Sequence, residues 1–289
     1  MQRLLCSGTR ARHVEHTRHA EDETLYWTKA ASILGLPQSP LLDSEVPIAP
    51  NKARTDLITL LAQNAPEFQP PDEEQGLVFE GWRALCMHYA PVFVEKSPHH
   101  LHQWSCLQLM ADAAVRLPDI DFRFIGLVRN PMDTLYSAWS RWRLPPQKIQ
   151  FEWLEAYRNL LRFKDLVGDR LTIVGYESLA AEEQVARSLL HGLDLEGDSA
   201  SVTGSMHKNS MLKWKGDPRF GFELDSRVVA LAAKFGYTPE QLTNRSTYRW
   251  RLHYTLGRAE QLAWTRPKRR MKEHLEKLLR SRSGSHQPS

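Results

Sequence analysis

The chain has 289 residues, of which 42% are hydrophobic and 25% are charged, a composition that favours a globular protein over a disordered one. Its 38 Lys and Arg residues exceed its 34 Asp and Glu residues by only four, too few to predict a nucleic-acid partner. No apolar run approaches the roughly 18–20 residues that span a bilayer, and we expect no signal peptide. Three cysteines without a Cys-x-x-Cys pair predict neither disulfides nor zinc, and they favour a reduced, cytoplasmic compartment.

The first ninety residues have helical periodicity. The pattern predicts helices over about residues 20–34, 52–63 and 82–89. Gly35-Leu36-Pro37 ends the first of these, because Gly and Pro are typical just beyond a helix C-terminus.

Three short apolar runs in the middle of the chain predict β-strands. They cover residues 91–95, 122–128 and 171–175, and a helical stretch follows each of them, over about 99–116, from 131 and over about 181–191. Strands that alternate with helices of more than ten residues are typical of βαβ units. We therefore predict an α/β fold with a mostly parallel central sheet flanked by helices.

The C-terminal third is predicted to be helical. A helix over 225–235 closes at Gly236, and a basic amphipathic helix covers about 258–282. We predict an α/β domain over 1–250 and a basic helical extension over 251–289, with a frayed end. A solvated surface helix is the favoured interpretation of the basic segment, and contact with a membrane or nucleic acid is the alternative.

Polar residues follow each predicted strand. The first strand runs into Glu95-Lys96-Ser97-Pro98-His99-His100, the second into Arg129-Asn130-Pro131 and the third into Tyr176-Glu177-Ser178. Ligands of open parallel sheets bind outside the carboxyl ends of the strands. These three segments are therefore the candidate site.

The second of these segments has the features of a phosphate site. Asn130 is a good N-cap, Pro131 suits the first helical turn, and Asp133 is placed to complete the cap from three residues on. A helix that begins here sets the Arg129 guanidinium beside unpaired N–H groups and the positive end of a helix dipole. Ser137 lies about two turns farther along.

The segment LVRNPMDTLYSAW resembles the 3′-phosphate-binding segment of sulfotransferases that use PAPS (3′-phosphoadenosine 5′-phosphosulfate). Phe93–Pro98 is similar to a Glu-Lys-[Ser/Thr]-Pro element of heparan-type and bacterial members, and Val174–Leu179 is similar to a family strand exit. The resemblance covers roughly residues 90–240. It implies a three-layer fold like that of P-loop NTPases, PAPS as co-substrate without a metal, and Arg129 and Ser137 as phosphate ligands. The alternative for Arg129 is an ion pair with a carboxylate such as that of Glu177.

The same resemblance implies two catalytic residues. Lys96 would neutralise charge near the transferring sulfuryl group, and Glu23 would act as the general base. Two alternatives stay open: that the acidic run at 21–23 only favours the start of a helix, and that His99 or His100 is the base. Adjacent histidines after a proline are more often surface residues.

One family element has no good match. The loop that wraps the 5′-phosphosulfate has the form Pro-[Lys/Arg]-Ser-Gly-Thr-Thr, and Ser7-Gly8-Thr9 lacks the preceding basic residue. We interpret Met1–Leu5 as part of the helix that follows this loop, and expect the strand and loop to precede Met1. The alternative function is therefore a non-catalytic or inactive binding protein of the same fold. A nucleotide kinase is disfavoured, since no Gly-x-x-x-x-Gly-Lys-[Ser/Thr] occurs.

The acceptor cannot be identified from the sequence. Carbohydrate, lipid, phenol and other small-molecule acceptors all fit, as do peptides, and no nucleic acid is expected. The loops at 37–50 and 64–74, and the aromatic-rich region Trp139–Trp153, are candidates for shaping an acceptor pocket.

Overall fold

The computed structural model describes residues 2–19, 22–42, 44–195, 211–217 and 219–244, without the side chains of residues 3 and 4. The predicted basic helix at 258–282 and the predicted C-terminal domain at 251–289 lie outside these residues. The described part combines many helices with two small parallel sheets.

The helices, in chain order, are α1 (Gln2–Cys6), α2 (Tyr26–Ile33), α3 (Pro50–Asn64), α4 (Glu74–His88), α5 (His99–His102), α6 (Trp104–Arg116), α7 (Pro131–Trp142), α8 (Pro146–Val167), α9 (Tyr176–Ala181), α10 (Glu183–Gly192), α11 (Lys213–Gly216), α12 (Ser226–Lys234) and α13 (Pro239–Leu242). The strands are β1 (Ala11–Arg12), β2 (Val92–Phe93), β3 (Phe124–Val128) and β4 (Leu171–Gly175).

All observed strand pairing is parallel, as predicted. Strand β3 pairs with β4 over five residues, from Phe124 opposite Leu171 to Val128 opposite Gly175. Strand β1, which the sequence did not predict, pairs with β2 over two residues. Within the described residues the four strands form two separate two-stranded sheets rather than the single predicted sheet. Pro91, which has no N–H group to donate, directly precedes β2 and limits the ladder at that end.

The strands have helices on both faces. Successive side chains of a strand point to opposite faces, and β3 follows this rule. Phe124 and Val128 join a large apolar cluster with helices α2–α8 and α12, whereas Ile125 and Leu127 pack against a smaller one formed with α1, α9 and α10. Residues of the β1–β2 sheet contribute to the same two clusters, so both sheets lie between the same two helical layers.

Trp82 of α4 connects the two sheets on the side of the large cluster. Its ring centroid lies 5.4 Å from that of Phe93 in β2 and 6.4 Å from that of Phe122, just before β3. Aromatic pairs at such distances add to the free energy gained by burial. One indole ring therefore packs against a residue of β2 and against the segment that leads into β3.

The observed helices differ from the sequence predictions at several places. The first begins at Tyr26 because Leu25 has a left-handed backbone (φ 51°), which no helix interior accommodates. The predicted helix at 99–116 is interrupted at Gln103, whose side chain donates to and accepts from the backbone of Ser39. The sequence did not predict α8, the longest of the described helices, and Trp153 in its first half is buried rather than part of an open pocket.

Gly126 in β3 gives a test of this packing. An added Cβ would lie 2.6 Å from Cδ1 of Leu160, which is buried in α8. We expect Gly126→Ala to lower the free energy of unfolding by about 1–3 kcal/mol through overpacking, as measured by urea denaturation. Gly175→Ala in the paired strand is the matched control, since its Cβ would meet only Ser178 Oγ at 3.7 Å. Equal effects of the two substitutions would contradict the packing of α8 on β3.

Candidate functional site

The carboxyl ends of β2 and β3 point to the same end of the molecule, as two hydrogen bonds from neighbouring residues of α8 indicate. Asn159 Nδ2 donates to the carbonyl oxygen of Leu101 (3.2 Å), in the helix that follows β2. Tyr157, two residues earlier on α8, donates its hydroxyl to the carbonyl oxygen of Leu127 in β3 (3.2 Å). Two residues of a helix span only about 3 Å along its axis. Two of the three predicted polar segments therefore leave their strands at the same end.

The third segment joins them through a hydrogen bond. The backbone N–H of Asn130 donates to Oε1 of Glu177, just beyond β4, at 2.9 Å. The hydroxyl of Tyr237 donates to the other carboxylate oxygen at 2.7 Å. Burial and the nearby Glu177 carboxylate raise the pKa of Tyr237, so that it stays a hydrogen-bond donor. The second and third predicted segments thus meet beyond β3 and β4, at the same end of the strands as the first.

The backbone of Arg129 is fixed where α7 begins. Asn130 accepts a hydrogen bond from the N–H of Met132 (2.8 Å), which confirms it as the N-cap. The N–H of Arg129 donates to the hydroxyl of Tyr157 (3.2 Å), and its carbonyl accepts from the indole of Trp153 (3.0 Å). The direction in which the chain leaves β3 is therefore set by two α8 side chains.

The Arg129 guanidinium lies over an aromatic ring. Its Cζ is 4.8 Å from the ring centroid of Tyr176, the first residue of α9, a geometry that favours a cation. Both oxygens of Glu177, which the sequence left open as a partner of Arg129, accept hydrogen bonds from Asn130 and Tyr237. A positive group thus lies at the N-terminus of α7.

Asp133 does not complete the cap, so that prediction was wrong. Its side chain is buried, and Oδ1 accepts the backbone N–H of Leu212 at 2.7 Å, from the segment that leads into α11. Asn130 alone supplies the side-chain cap of this helix, since Asp133 is turned toward that segment. Burial raises the pKa of Asp133 to about 6, against the opposing effects of the Leu212 N–H and the Arg129 charge.

Ser137 lies half-buried on α7, about two turns from its start. Its carbonyl oxygen accepts a hydrogen bond from the hydroxyl of Ser140 (3.3 Å). Its role as a phosphate ligand stays a prediction.

Lys96 and Glu23 lie together, although 72 residues separate them in the sequence. Lys96 Nζ is 2.7 Å from Oε1 of Glu23, and the two side chains are 25% and 16% exposed, which leaves the pair open to solvent. The other oxygen of Glu23 is 3.6 Å from Nδ1 of His99. Burial lowers the pKa of His99, opposed by Glu23. Glu23 therefore lies between the candidate electrostatic residue, Lys96, and a second candidate base, His99.

The third candidate base, His100, is buried, so its expected surface position was wrong. Its Nδ1 lies 3.5 Å from Oε2 of Glu95, another buried group. Burial lowers the pKa of His100, which keeps the ring neutral near pH 7, and Glu95 opposes this effect. The sequence did not single out Glu95 as a functional residue.

An open cavity of about 340 Å³ adjoins the ends of β3 and β4. Its lining is mostly apolar and consists of Val128, Leu161, Ile173, Gly175, Lys234, Phe235 and Tyr237. In the part of the chain that the structure describes, no group of His, Cys, Asp and Glu residues is arranged to hold a metal ion. None of the described helices is long and apolar enough to cross a membrane.

No protein-family model matches the sequence, and no curated protein matches it. Among solved structures, the chain is similar to a sulfotransferase domain from the curacin biosynthetic pathway. The two chains are 16% identical, the match covers 81% of this chain and 86% of that chain, and the TM-score is 0.46. A likeness of this size carries no argument about function, which has to rest on the contacts of this chain.

The raised pKa of Asp133 predicts a pH-dependent stability. The folded state holds this proton up to about pH 6, whereas the ordinary pKa of an aspartate is 3.8, so the stabilising contribution of the bound proton is lost as pH rises through this window. A pKa difference of one unit corresponds to about 1.4 kcal/mol. Between pH 4.5 and 7.5, the free energy of unfolding of Asp133→Asn should therefore rise by about 2 kcal/mol relative to that of the wild type. Urea denaturation across this range measures the difference.

The matched substitution is Asp165→Asn, at an exposed position of α8. Its free energy of unfolding should run parallel to that of the wild type. Parallel curves for Asp133→Asn as well would show that the buried carboxylate does not titrate as described.

Proposed function

We propose that this protein is a sulfotransferase, with the fold of P-loop NTPases, that transfers a sulfuryl group from PAPS to a hydroxyl or amine of a small-molecule, carbohydrate or lipid acceptor. The observation that carries the proposal is the placement of two charged sets at the same end of the strands, where Tyr157 and Asn159 of α8 bond to the exit of β3 and to the helix after β2. One is Arg129 at the N-terminus of α7, and the other is the pair of Lys96 and Glu23.

The Arg129 set suits a phosphate. The N-terminus of α7 offers the positive end of the helix dipole, which stabilises an anion, although the N–H groups of Asn130 and Met132 are already bonded within the protein. A guanidinium adds charge-assisted hydrogen bonds, and the fixed backbone of Arg129 limits the entropy lost on binding. In the proposal, Arg129 and Ser137 hold the 3′-phosphate of PAPS.

The Lys96 set suits the transfer step. The acceptor oxygen forms a bond to sulfur as the bond from sulfur to the phosphate oxygen breaks, and 3′,5′-adenosine bisphosphate leaves. Lys96 stabilises the charge that grows on the leaving oxygen, and Glu23 accepts the proton of the acceptor group. Lys96 pairs with Glu23 in this structure. Movement of Lys96 toward the donor would release the Glu23 carboxylate to act as the base.

The second candidate function is a binding protein of the same fold without transfer activity. The observation that favours it is the close pair of Lys96 and Glu23, in which each charge already neutralises the other. This candidate predicts that the donor product binds while no turnover occurs.

Calorimetry with 3′,5′-adenosine bisphosphate tests the phosphate site. Arg129→Ala removes a charge-assisted hydrogen bond of roughly 1.5–3 kcal/mol, so the affinity should fall about 10- to 100-fold. Arg123→Ala is the matched control, because Arg123 precedes the other end of the same strand, where it pairs with Asp121. This control should keep the wild-type affinity. If the Arg129 variant binds as tightly as the wild type, Arg129 is not a ligand of the phosphate. If the wild type does not bind, both candidate functions are refuted.

Release of 3′,5′-adenosine bisphosphate from PAPS, with a panel of hydroxyl and amine acceptors, tests the transfer site. We expect Lys96→Ala to lower turnover about 10²- to 10³-fold, because the leaving charge loses its partner. Glu23→Gln should lower it about 10²- to 10⁴-fold through loss of the base. Both variants should still bind the product within a few-fold of the wild type, since Arg129 is intact. A wild type that binds the product but turns over no acceptor would favour the binding protein.

A further inference from the structure

A buried carboxylate lies directly behind the Lys96–Glu23 pair. The side chain of Glu95 is 6% exposed. Its Oε1 accepts a hydrogen bond from the hydroxyl of Thr24 at 2.6 Å and another, short one from the hydroxyl of Ser97. One oxygen of Glu95 therefore connects two segments that are distant in the sequence.

Each of these hydroxyls is also bonded to the backbone. The Thr24 hydroxyl accepts the N–H of Tyr26 (3.0 Å), and the Ser97 hydroxyl accepts the N–H of Leu25 (2.9 Å). A hydroxyl that donates to a carboxylate and accepts an N–H has a fixed orientation. The three side chains thus form one connected network between the start of α2 and the turn after β2.

The backbone of Leu25 shows how strongly this network constrains the chain. Leu25 is a non-glycine residue with φ 51°, a left-handed conformation that is costly for a leucine. Such conformations persist where the surrounding structure over-determines them, and they cluster at functional sites. The bond from its N–H to Ser97 and the burial of its side chain provide that constraint.

Glu23 directly precedes Thr24, and Lys96 lies between Glu95 and Ser97, so the network borders both members of the pair. We infer that Glu95 is a positioning residue, which holds the Lys96 amine against the Glu23 carboxylate through the hydroxyls of Thr24 and Ser97. The inference deepens the proposed function and rests on it for the chemical role of the pair, whereas the positioning itself is independent of any donor.

The groups around Glu95 come from three helices. His100 of α5 lies 3.5 Å away, Lys29 of α2 donates to the carbonyl of Thr24 (2.5 Å), and Cys106 of α6 is buried nearby. Burial raises the pKa of Cys106 to about 12 and lowers that of Lys29 to about 8, so near pH 7 Lys29 is the cation among these three. A buried carboxylate needs such partners, since an unpaired one would be costly.

A zero-length carbodiimide cross-link between Glu23 and Lys96 measures the positioning without a donor or an acceptor. The reagent joins a carboxylate to an amine only at ion-pair distance, and the cross-linked peptide is quantified by mass spectrometry. The pair of Lys52 and Asp56, 2.6 Å apart on α3, is the reference in the same sample. We expect Glu95→Ala and Thr24→Val to lower the Glu23–Lys96 yield at least about fivefold against this reference. Glu95→Gln, which keeps an oxygen for both hydroxyls, should restore most of it.

The outcomes separate positioning from a merely structural role. A folded Glu95→Ala or Thr24→Val protein with an unchanged Glu23–Lys96 yield would overturn the inference, even if its melting temperature falls. If Glu95→Ala fails to fold, the cross-link yield of Thr24→Val, compared with that of Glu95→Gln, tests the inference instead. Affinity for 3′,5′-adenosine bisphosphate should stay within about twofold in all three variants, because Arg129 is outside the network. Loss of the cross-link with no product binding by the wild type would uphold the positioning and refute the sulfotransferase.

Discussion

The pairing of β3 with β4 is the constraint on which the rest of the site depends. Because the two strands run in parallel and in register up to Val128 and Gly175, their exits lie side by side. Arg129 therefore meets the ring of Tyr176, and the first amide of the following turn meets the Glu177 carboxylate. A shift of the β3–β4 pairing register by one residue would move each of these groups to the other face of the sheet. The close approach of α8 at Gly126 requires a glycine, so the packing and the site share one register.

The candidate transfer site is held by a different kind of interaction. Its two residues come from segments without strand pairing between them, and side-chain hydrogen bonds to Glu95 join these segments instead. Such a network is strong only when every member is satisfied, because a buried polar group without a partner is costly. Helix α8 relates this part to the phosphate part, since Tyr157 and Asn159 fix the exits of β3 and β2 at one level. Helix α8 thus relates the two parts of the site, whereas the pairing of β3 with β4 places the exits of those two strands side by side.

Local signals in the sequence were sufficient for part of this arrangement. The strand at 171–175 was predicted with its observed bounds, and Asn130 was identified as an N-cap, because both depend on neighbouring residues. Helix α8 was not predicted, although buried Trp153 and Tyr157 lie on its apolar face. The break at Gln103 depends on a loop 64 residues away, and the pairing of Asp133 with Leu212 spans 79 residues. No local pattern encodes such contacts, so propensity and capping rules could not find them.

The two parts of the site should respond to substitution almost independently. Arg129 is fixed by a strand ladder and a helix cap, whereas Lys96 is fixed by a buried carboxylate, and no member of one set belongs to the other. Substitutions in separate networks usually have additive effects, whereas residues that share a network do not. Donor affinity and transfer rate would then be set by different physical means within one site. A protein of this kind can lose transfer activity through Glu95 or Lys96 and keep its affinity for a nucleotide phosphate, which is the property that separates the two candidate functions.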